Sequence, residues 1–289
     1  MLNLSKSPGT LQIIFLACLF CIFATTNLNG QKIEKIQNDF KDLEDLENPI
    51  CPDPVYTINT KRELILTGVG VGLNLIGYAM PVEGATIERL SELDENDLWS
   101  LDRSAIYNNS QTAQNWSDVI LYSSMTLPFL VYADMKCRAE GWKIGLMGLQ
   151  TFLITNGITT ITKSAFQRYR PFTYNPDVSL EKKQSTRSTL SFFSGHTSVT
   201  TSLSFFASKV ITDLRPGSKN NWIVWTVGAT TPALMGYLRY EAGKHFLTDV
   251  ITGYAVGAIV GYMVPAMHLN KNVNVGLGLA GTLDFRLTF

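Results

Sequence analysis

The sequence predicts an all-α fold, a bundle of about six core helices embedded in a membrane, followed by a short C-terminal β segment. Six stretches contain no Asp, Glu, Lys or Arg, and their lengths of 15 to 21 residues suit helices rather than strands. Several approach the roughly 20 residues that a bilayer crossing requires. These stretches are 64–82, 119–133, 144–162, 188–208, 220–238 and 250–270. The tail after them alternates in hydrophobicity with the period of a strand.

The chain divides into four segments. Residues 1–30 form a signal peptide or N-terminal hydrophobic segment, because Lys6 precedes an apolar run of about 14 residues. Residues 31–62 combine an amphipathic helix with a linker rich in proline, which cannot continue a helix. Residues 63–270 form the helical domain, and residues 271–289 form the β-like tail.

Small residues recur at four-residue spacing in two of the apolar stretches. Gly68 and Gly72 form one such pair, and Gly253, Gly257 and Gly261 form a triplet. Glycine at this spacing allows two helix backbones to approach closely. The spacing therefore predicts close helix pairs at both places, and ordinary close packing in a soluble bundle is the alternative.

Charge and cysteine content exclude two kinds of site. Lys plus Arg and Asp plus Glu number 24 each, so the chain has no overall electrostatic attraction for nucleic acid. Two of the four cysteines lie within residues 1–30, and the other two, Cys51 and Cys137, lack the spacing of a metal site. Whether these two pair or remain free thiols is left open by the sequence.

The stretch KSAFQRYRP holds the first candidate anion-binding residues. Lys163 and Arg170 are seven residues apart, so on a helix they point the same way two turns apart. Pro171 then marks the end of that helix. Two cations directed at one spot indicate an anion site, and the alternative is a basic helix end that complements the helix dipole.

The stretch SFFSGHTSVT places a histidine at a predicted helix start. Ser194 is a good N-cap and Gly195 allows close approach to the backbone, so free amide groups and the positive end of the helix dipole favour an anion. His196 stands there as a potential proton donor. Its alternative role is capping or packing.

The stretch RYEAGKHFLTD contains a cation, a histidine and a carboxylate. Arg239 precedes His245 by six residues, and His245 precedes Asp249 by four. On one helix His245 and Asp249 share a face, so the carboxylate holds one imidazole proton and leaves the other nitrogen free as a nucleophile. An incidental capping pair is the alternative.

Together the three stretches supply the cations, acid and nucleophile that phosphoryl transfer needs.

The order Lys-x6-Arg-Pro, Ser-Gly-His and Arg-x5-His-x3-Asp resembles the signature of the type 2 phosphatidic acid phosphatase superfamily, which includes class A acid phosphatases and vanadium-dependent haloperoxidases. The resemblance implies that His245 attacks phosphorus, that Asp249 orients it and that His196 protonates the leaving oxygen. It implies no metal and no other cofactor. The phosphate-binding residues that it implies are Lys163, Arg170, Ser194, Gly195 and Arg239.

Two positions depart from the family pattern. Phe193 stands where the family usually has proline, which affects the conformation of the loop before the helix. Leu238 stands where the family usually has serine, and the missing hydroxyl removes one phosphate contact of about 1 kcal/mol. Neither change removes a group with a catalytic role.

The resemblance implies a metal-independent phosphatase that hydrolyses phosphate monoesters, chiefly lipid phosphates, through a phosphohistidine intermediate. The alternatives are a soluble periplasmic acid phosphatase, a haloperoxidase with vanadate bonded to His245, and a non-catalytic protein that binds lipid phosphates. The expected partners are a phosphorylated lipid or a small phosphate ester, and the membrane. No nucleic acid is expected.

The charge distribution predicts an orientation in a bacterial-type cell envelope. Segment 83–103 carries seven acidic residues against Arg89 and Arg103, and it lies on the same side of the predicted bundle as the motifs. Segments 134–143 and 209–219, on the other side, have a small excess of Lys and Arg, as cytoplasmic loops do. The charge distribution therefore predicts that the site faces the periplasm. Counting membrane crossings from a cleaved signal predicts instead that the site faces the cytoplasm.

Overall fold

The computed structural model describes residues 54–128, 141–270, 273–277 and 283–287. Several sequence predictions concern residues outside this part of the chain. They are the hydrophobic segment 1–30, the amphipathic helix that follows it, and the state of Cys51 and Cys137.

The described chain is helical, as predicted. The helices are α1 (Thr60–Ala79), α2 (Ile87–Ser91), α3 (Ser100–Arg103), α4 (Gln111–Ser124), α5 (Gly141–Phe166), α6 (Pro171–Tyr174), α7 (Leu180–Lys183), α8 (Gly195–Leu214), α9 (Asn221–Glu241) and α10 (Leu247–His268). In the tail, β1 (Val273–Leu277) and β2 (Leu283–Leu287) pair antiparallel, with Val273 opposite Leu287.

Polar caps decide where two of the long helices begin. The charge-free run 119–133 suggests a helix start near residue 119, but α4 starts eight residues earlier, because Ser110 accepts a hydrogen bond from the Ala113 amide. The run 188–208 suggests a start near residue 188, but α8 starts only at Gly195, after the capping residue Ser194. An N-cap side chain satisfies an amide that the helix cannot pair, so it fixes the boundary more strongly than hydropathy does.

Helix α8 lies at the centre of the bundle and packs against α10, α9, α5 and α4. Thirteen of its 20 residues are buried, and many of them are serine or threonine. Several hydroxyls bond to the helix itself: Thr201 Oγ1 donates to the Thr197 carbonyl over 2.7 Å, and Ser202 Oγ donates to the Val199 carbonyl over 3.0 Å. The hydroxyls of Thr200 and Ser204 are buried without a partner among the described residues. Small side chains whose hydroxyls mostly find a partner therefore allow this polar helix to occupy the core.

The glycine triplet of α10 lies directly against the backbone of α8. At each glycine an added Cβ would collide with a carbonyl oxygen of α8, so no larger residue fits without a shift. The pairs are Gly253 with Ser194, Gly257 with Ser198, and Gly261 with Ser202. The predicted close approach at this triplet is confirmed, and its first contact anchors α10 at the start of α8.

The prediction for Gly68 and Gly72 is wrong, because an added Cβ at either position meets no atom within 4 Å. The close contact of α1 with α5 is made instead by Gly70 and Gly77, where an added Cβ would lie 2.8 Å from Leu153 Cβ and 2.9 Å from the Ile161 amide nitrogen. Which face of a helix meets its neighbour depends on the partner helix, and glycine spacing alone does not specify it.

The outer faces of α1, α9 and α10 expose large apolar side chains. They include Leu64, Ile65, Leu75, Ile76 and Tyr78 on α1, Trp222, Val227, Leu234 and Tyr237 on α9, and Ile251, Ile259, Tyr262, Met263 and Met267 on α10. By length and composition, two segments of the described chain, Gly141–Tyr174 and Leu247–His268, could cross a membrane. The six charge-free runs predict more crossings than these two.

A buried polar cluster closes one end of the bundle. Glu63 on α1 accepts hydrogen bonds from His268 Nε2 over 2.8 Å and from Gln150 Nε2 over 3.0 Å. The guanidinium of Arg62 also contacts Glu63 and donates to the Met267 carbonyl. This cluster fastens the start of α1 to the end of α10, at the opposite end from the site described below.

Candidate active site

The three motif stretches meet at the other end of the bundle. They are the end of α5 with the chain that follows it, the start of α8, and the loop 242–246 between α9 and α10. The acidic segment 83–103 lies at the same end, since the Glu83 amide donates to Gln167 Oε1 and Asp102 contacts Arg168. The structure therefore places the predicted site residues close together, with the acidic segment beside them.

Lys163 and Arg170 converge, but not in the way that the sequence predicts. Helix α5 ends at Phe166, Gln167 has a φ of 42°, and Arg170 has extended backbone before Pro171. The two cations are therefore not two turns apart on one helix, and the proline begins α6 rather than ending α5. Their side chains meet at the Leu190 carbonyl, which lies 2.6 Å from Lys163 Nζ and 3.3 Å from Arg170 NH2.

Ser194 caps α8, as its type predicts. Its Oγ lies 3.4 Å from the Thr197 amide, and its own amide donates to the Asp249 carbonyl over 3.0 Å. An added Cβ at Gly195 would lie 3.3 Å from Thr159 Cγ2 and 3.6 Å from Lys163 Cε. Gly195 therefore brings the first amide groups of α8 close to the Lys163 side chain, and amides of the first helical turn have no partner within the helix.

His196 and Arg239 share a carboxylate that the sequence motifs do not include. Asp118 on α4 lies with Oδ1 3.0 Å from His196 Nε2 and 3.7 Å from Arg239 NH1. Arg239 is buried and also donates to Ser117 Oγ over 3.1 Å. Helix α4 thus orients both the candidate acid and one of the cations.

His245 lies just before α10 and not within it. The helix begins at Leu247, so the geometry of two residues on one helix face does not apply. His245 Nδ1 is 3.6 Å from Asp249 Oδ2, and both side chains are almost fully buried. Burial, with the positive charges of Lys163, Arg170 and Arg239, holds the pKa of His245 well below its ordinary value. The imidazole is therefore neutral at physiological pH.

Asp249 is held by three donors, and His245 is not one of them, because Nδ1 of that histidine has no hydrogen-bond partner among the described residues. Asp249 Oδ2 accepts from Ser191 Oγ over 2.5 Å and from the Phe246 amide over 3.0 Å, and its Oδ1 accepts from Arg168 NH1 over 2.6 Å. Buried carboxylates persist only when such donors compensate for lost hydration. The carboxylate is thus fixed in place next to His245.

Arg168 extends this network to Asp102, which is buried in the acidic segment. Its NH2 donates to Asp102 Oδ2 over 2.8 Å, while Asp102 also accepts from the Thr248 amide and hydroxyl. One guanidinium therefore bridges two buried carboxylates and neutralises part of their charge. It also stacks over the Phe246 ring, 4.3 Å from its centroid.

The arrangement is suited to a tetrahedral anion. We refer to Lys163, Arg170 and Arg239, with the start of α8, as the cationic site. The buried Nε atoms of Arg170 and Arg239 have no hydrogen-bond partner among the described residues. Guanidinium groups bind phosphate oxygens strongly because charge and fork geometry match. The site thus combines unpaired donors for an oxyanion with a neutral imidazole beside it.

Sequence reasoning missed Arg168, Asp102 and Asp118. A helix over 163–170 would align residues seven apart, whereas the extended segment before Pro171 places Arg168 and Arg170 on one side. Asp102 was one of seven acidic residues in its segment, and Asp118 borders a charge-free run. No local pattern distinguishes these two carboxylates, because their partners are far away in the sequence.

Comparisons with known proteins find one family and two similar sequences. Residues 145–272 match the family model of the PAP2 superfamily. The lipid A 4'-phosphatase of Porphyromonas gingivalis is 29% identical over 157 residues, which cover 53% of this chain and 62% of that protein. The phosphatidylglycerophosphatase B of Bacillus subtilis is 29% identical over 148 residues, which cover 49% of this chain and 67% of that protein. The matched region thus spans less than two thirds of the first relative.

One solved structure is also similar. It is the crystal structure of a transmembrane PAP2-type phosphatidylglycerolphosphate phosphatase from Bacillus subtilis. The alignment covers 71% of this chain and 96% of that chain, with 20% identity and a TM-score of 0.46.

Proposed function

Residues 145–272 of this chain belong to the PAP2 superfamily, and from this premise we propose that the protein is a phosphatase that hydrolyses phosphate monoesters of lipids. The observation that carries the proposal is the buried, neutral His245 between a fixed carboxylate and three cations. Such a histidine is a nucleophile, and the cations stabilise the charge that develops on the transferred phosphoryl group. The known family members with similar sequence are named as lipid phosphatases.

The first chemical step forms a bond between His245 Nε2 and phosphorus. Nδ1 is the nitrogen that faces Asp249, so Nε2 is the one free to attack. As the phosphorus–nitrogen bond forms, the bond to the leaving oxygen breaks, and His196 donates to that oxygen a proton that it takes up when the phosphate anion binds and offsets the nearby cations. The equatorial oxygens receive hydrogen bonds from Lys163, Arg170 and Arg239.

The second step returns the enzyme to its initial state. A water molecule attacks the phosphohistidine, and His196, now neutral, accepts its proton as a general base. The phosphorus–nitrogen bond breaks and inorganic phosphate leaves. Asp249, held by Arg168 and Ser191, keeps the imidazole oriented in both steps.

All positive charges in this mechanism come from side chains, so we propose that no metal takes part. Lys163 and the two arginines neutralise the phosphoryl oxygens, and the amides at the start of α8 add further donors. Hydrolysis therefore proceeds in excess EDTA.

A lipid substrate fits the surface of the bundle. Apolar side chains exposed on α1, α9 and α10 form the kind of surface that soluble domains rarely present, and a bilayer covers it. We propose that the protein is embedded in the membrane, with its site at one membrane face. A lipid phosphate then reaches the site from the bilayer.

We propose that this face is periplasmic. The end that carries the site also carries the acidic segment 83–103, whereas the other end carries Lys61, Arg62, Lys143 and Lys219. Positive charge marks the cytoplasmic side. This orientation places residue 54 in the cytoplasm and so conflicts with a cleaved export signal at 1–30. The test is a reporter enzyme that works only in the cytoplasm, fused near Lys219. Activity of this fusion supports the proposed orientation.

The decisive experiment measures phosphate release by the purified full chain. The substrates are phosphatidate, phosphatidylglycerol phosphate, a phosphorylated lipid A analogue and p-nitrophenyl phosphate, each with and without EDTA. His245→Ala is expected to lose almost all turnover on every substrate, because no other group in the described part of the chain is placed as nucleophile. More than a tenth of wild-type turnover in that variant contradicts the phosphohistidine step, and loss in EDTA that a divalent metal restores contradicts metal independence. Preference for the soluble ester favours an acid phosphatase instead.

A further inference from the structure

Two lysines outside the cationic site lie around one aromatic ring. Lys182 Nζ on α7 is 5.6 Å, and Lys244 Nζ is 5.2 Å, from the centroid of Phe172. The ring is almost fully buried, whereas the Lys182 side chain is exposed. We call these two lysines the rim pair. Two ammonium groups around one ring repel each other, and cation–π attraction offsets only part of that cost.

The two chain segments that hold Phe172 and Lys244 also carry residues of the candidate active site. Phe172 follows Arg170 by two residues, and Lys244 immediately precedes His245. The Phe172 amide donates to the Gly243 carbonyl over 3.3 Å, and the Lys244 amide donates to the Arg239 carbonyl over 3.1 Å. The rim pair is therefore held next to the candidate nucleophile and two of the cations.

The loop that carries Lys244 has little freedom. Gly243 has a φ of 63°, a conformation that L side chains rarely adopt, and an added Cβ would collide with the Asn108 carbonyl. Asn108 Nδ2 in turn donates to the Tyr240 carbonyl over 3.2 Å. The position of Lys244 is thus set by backbone contacts on either side.

The charges of the rim pair are not compensated by the described residues around them. Within residues 54–128 and 141–270, neither ammonium has a carboxylate partner, and Lys182 Nζ only approaches the Asn109 amide oxygen at 3.4 Å. The nearby carboxylate of Asp118 already contacts His196 and Arg239. Burial and the charges of Lys182, Arg170 and Arg239 lower the pKa of Lys244 to about 8, so it is still mostly protonated at pH 7.

We infer that the rim pair binds a second phosphoryl group on the same substrate molecule whose first phosphoryl group occupies the cationic site. Two adjacent positive charges match the two negative charges of a phosphate monoester, and the shared backbone keeps both groups within reach of one molecule. The inference rests on the proposed function for the reaction at the first group. The second group belongs either to a diphosphate or to a separate position of a bisphosphorylated lipid.

The test compares three lipid substrates in detergent micelles: a monophosphate, a diphosphate and a lipid with two separate phosphates. The variants are Lys182→Met and Lys244→Met, with Lys183→Met as the control, because that neighbour belongs to the same short helix and is not one of the two lysines over the Phe172 ring. The measured quantity is the ratio of kcat/KM for each two-phosphoryl substrate to that for the monophosphate. This ratio is expected to fall about tenfold in both variants and to stay constant in the control.

If the kcat/KM ratio falls for the diphosphate alone, the second phosphoryl group adjoins the first. If the ratio falls for the bisphosphorylated lipid alone, the second group is at a separate position of the lipid. Equal losses on all three substrates, or a constant ratio, overturn the inference. A binding measurement tests the second phosphoryl site independently of the proposed hydrolysis. Methylenebisphosphonate should raise the Tm of the wild type more than inorganic phosphate does, and this difference should disappear in Lys182→Met even if no substrate is hydrolysed. Equal shifts in the wild type and in Lys182→Met, together with a constant ratio for the bisphosphorylated lipid, contradict the second site.

Discussion

Arg168 NH1 lies 2.6 Å from Asp249 Oδ1, and this ion pair connects the segment after α5 to the start of α10. The other terminal nitrogen of the Arg168 guanidinium contacts Asp102, so one side chain links three distant parts of the chain. The guanidinium is about a quarter exposed, whereas both carboxylates are buried. Arg168 therefore acts on the proposed reaction through Asp249, as a positioning residue for His245.

Replacement of Arg168 by alanine is expected to lower kcat by about 100-fold, because the Asp249 carboxylate loses a buried partner and shifts relative to His245. KM for a lipid phosphate should change less than threefold, since Arg168 does not touch the phosphate in the proposed mechanism. Steady-state kinetics of the purified variant measure both. Arg89→Ala is the control, because its ion pair with Glu83 is exposed. A rise in KM with unchanged kcat contradicts the positioning role.

The His196→Ala variant separates acid catalysis from phosphate binding. If His196 protonates the leaving oxygen, alkyl phosphates should lose about 10² to 10⁴-fold in turnover. p-Nitrophenyl phosphate should lose far less, because its leaving group barely needs a proton. The ratio of the two rates in wild type and variant is the measurement. Equal losses on both esters, mainly in KM, would leave His196 as a binding residue only.

The pH profile depends on the protonation of His245. Its neutral form is the proposed nucleophile, and its pKa lies well below the ordinary value of about 6.5. Lowering the pH from about 7.5 to about 6 should therefore leave the nucleophile unprotonated. Lys163→Met removes a positive charge that acts on His245, so the pKa should rise and the acid limb of kcat/KM should move to higher pH.

Wild type and Lys163→Met are compared on the same substrate, so that the ionisation of the substrate itself cancels. Superimposable acid limbs in the two proteins contradict the electrostatic account of His245. The control is Lys219→Met, at the opposite end of the bundle, which should reproduce the wild-type profile.

The close contact of α10 with α8 predicts a difference between two glycine substitutions. Gly257→Ala places a methyl group against the Ser198 carbonyl and should destabilise the protein by about 1 to 3 kcal/mol. Gly68→Ala adds a methyl group that meets nothing, so it should be neutral or stabilising by up to about 1 kcal/mol through helix propensity. Thermal unfolding of both variants in one detergent provides the comparison. A similar Tm for both contradicts the assigned packing.

The sequence by itself determined the helical class and the residues that carry the motifs. Charge-free runs of helical length are a local property, and they locate the long helices even where the boundaries differ. The types and order of Lys163, Arg170, His196 and His245 are likewise visible in one dimension, because a cationic site for phosphate requires these groups whatever the backbone between them does.

Only the tertiary structure decided how these groups meet. Lys163 and Arg170 converge because the chain leaves the helix after Phe166, and periodicity does not predict that turn. Asp118 reaches His196 from a position 78 residues away in the sequence. The physical reason is that a buried charge is stabilised by whichever group packing brings to within hydrogen-bond distance, and such pairing has no signature in local sequence.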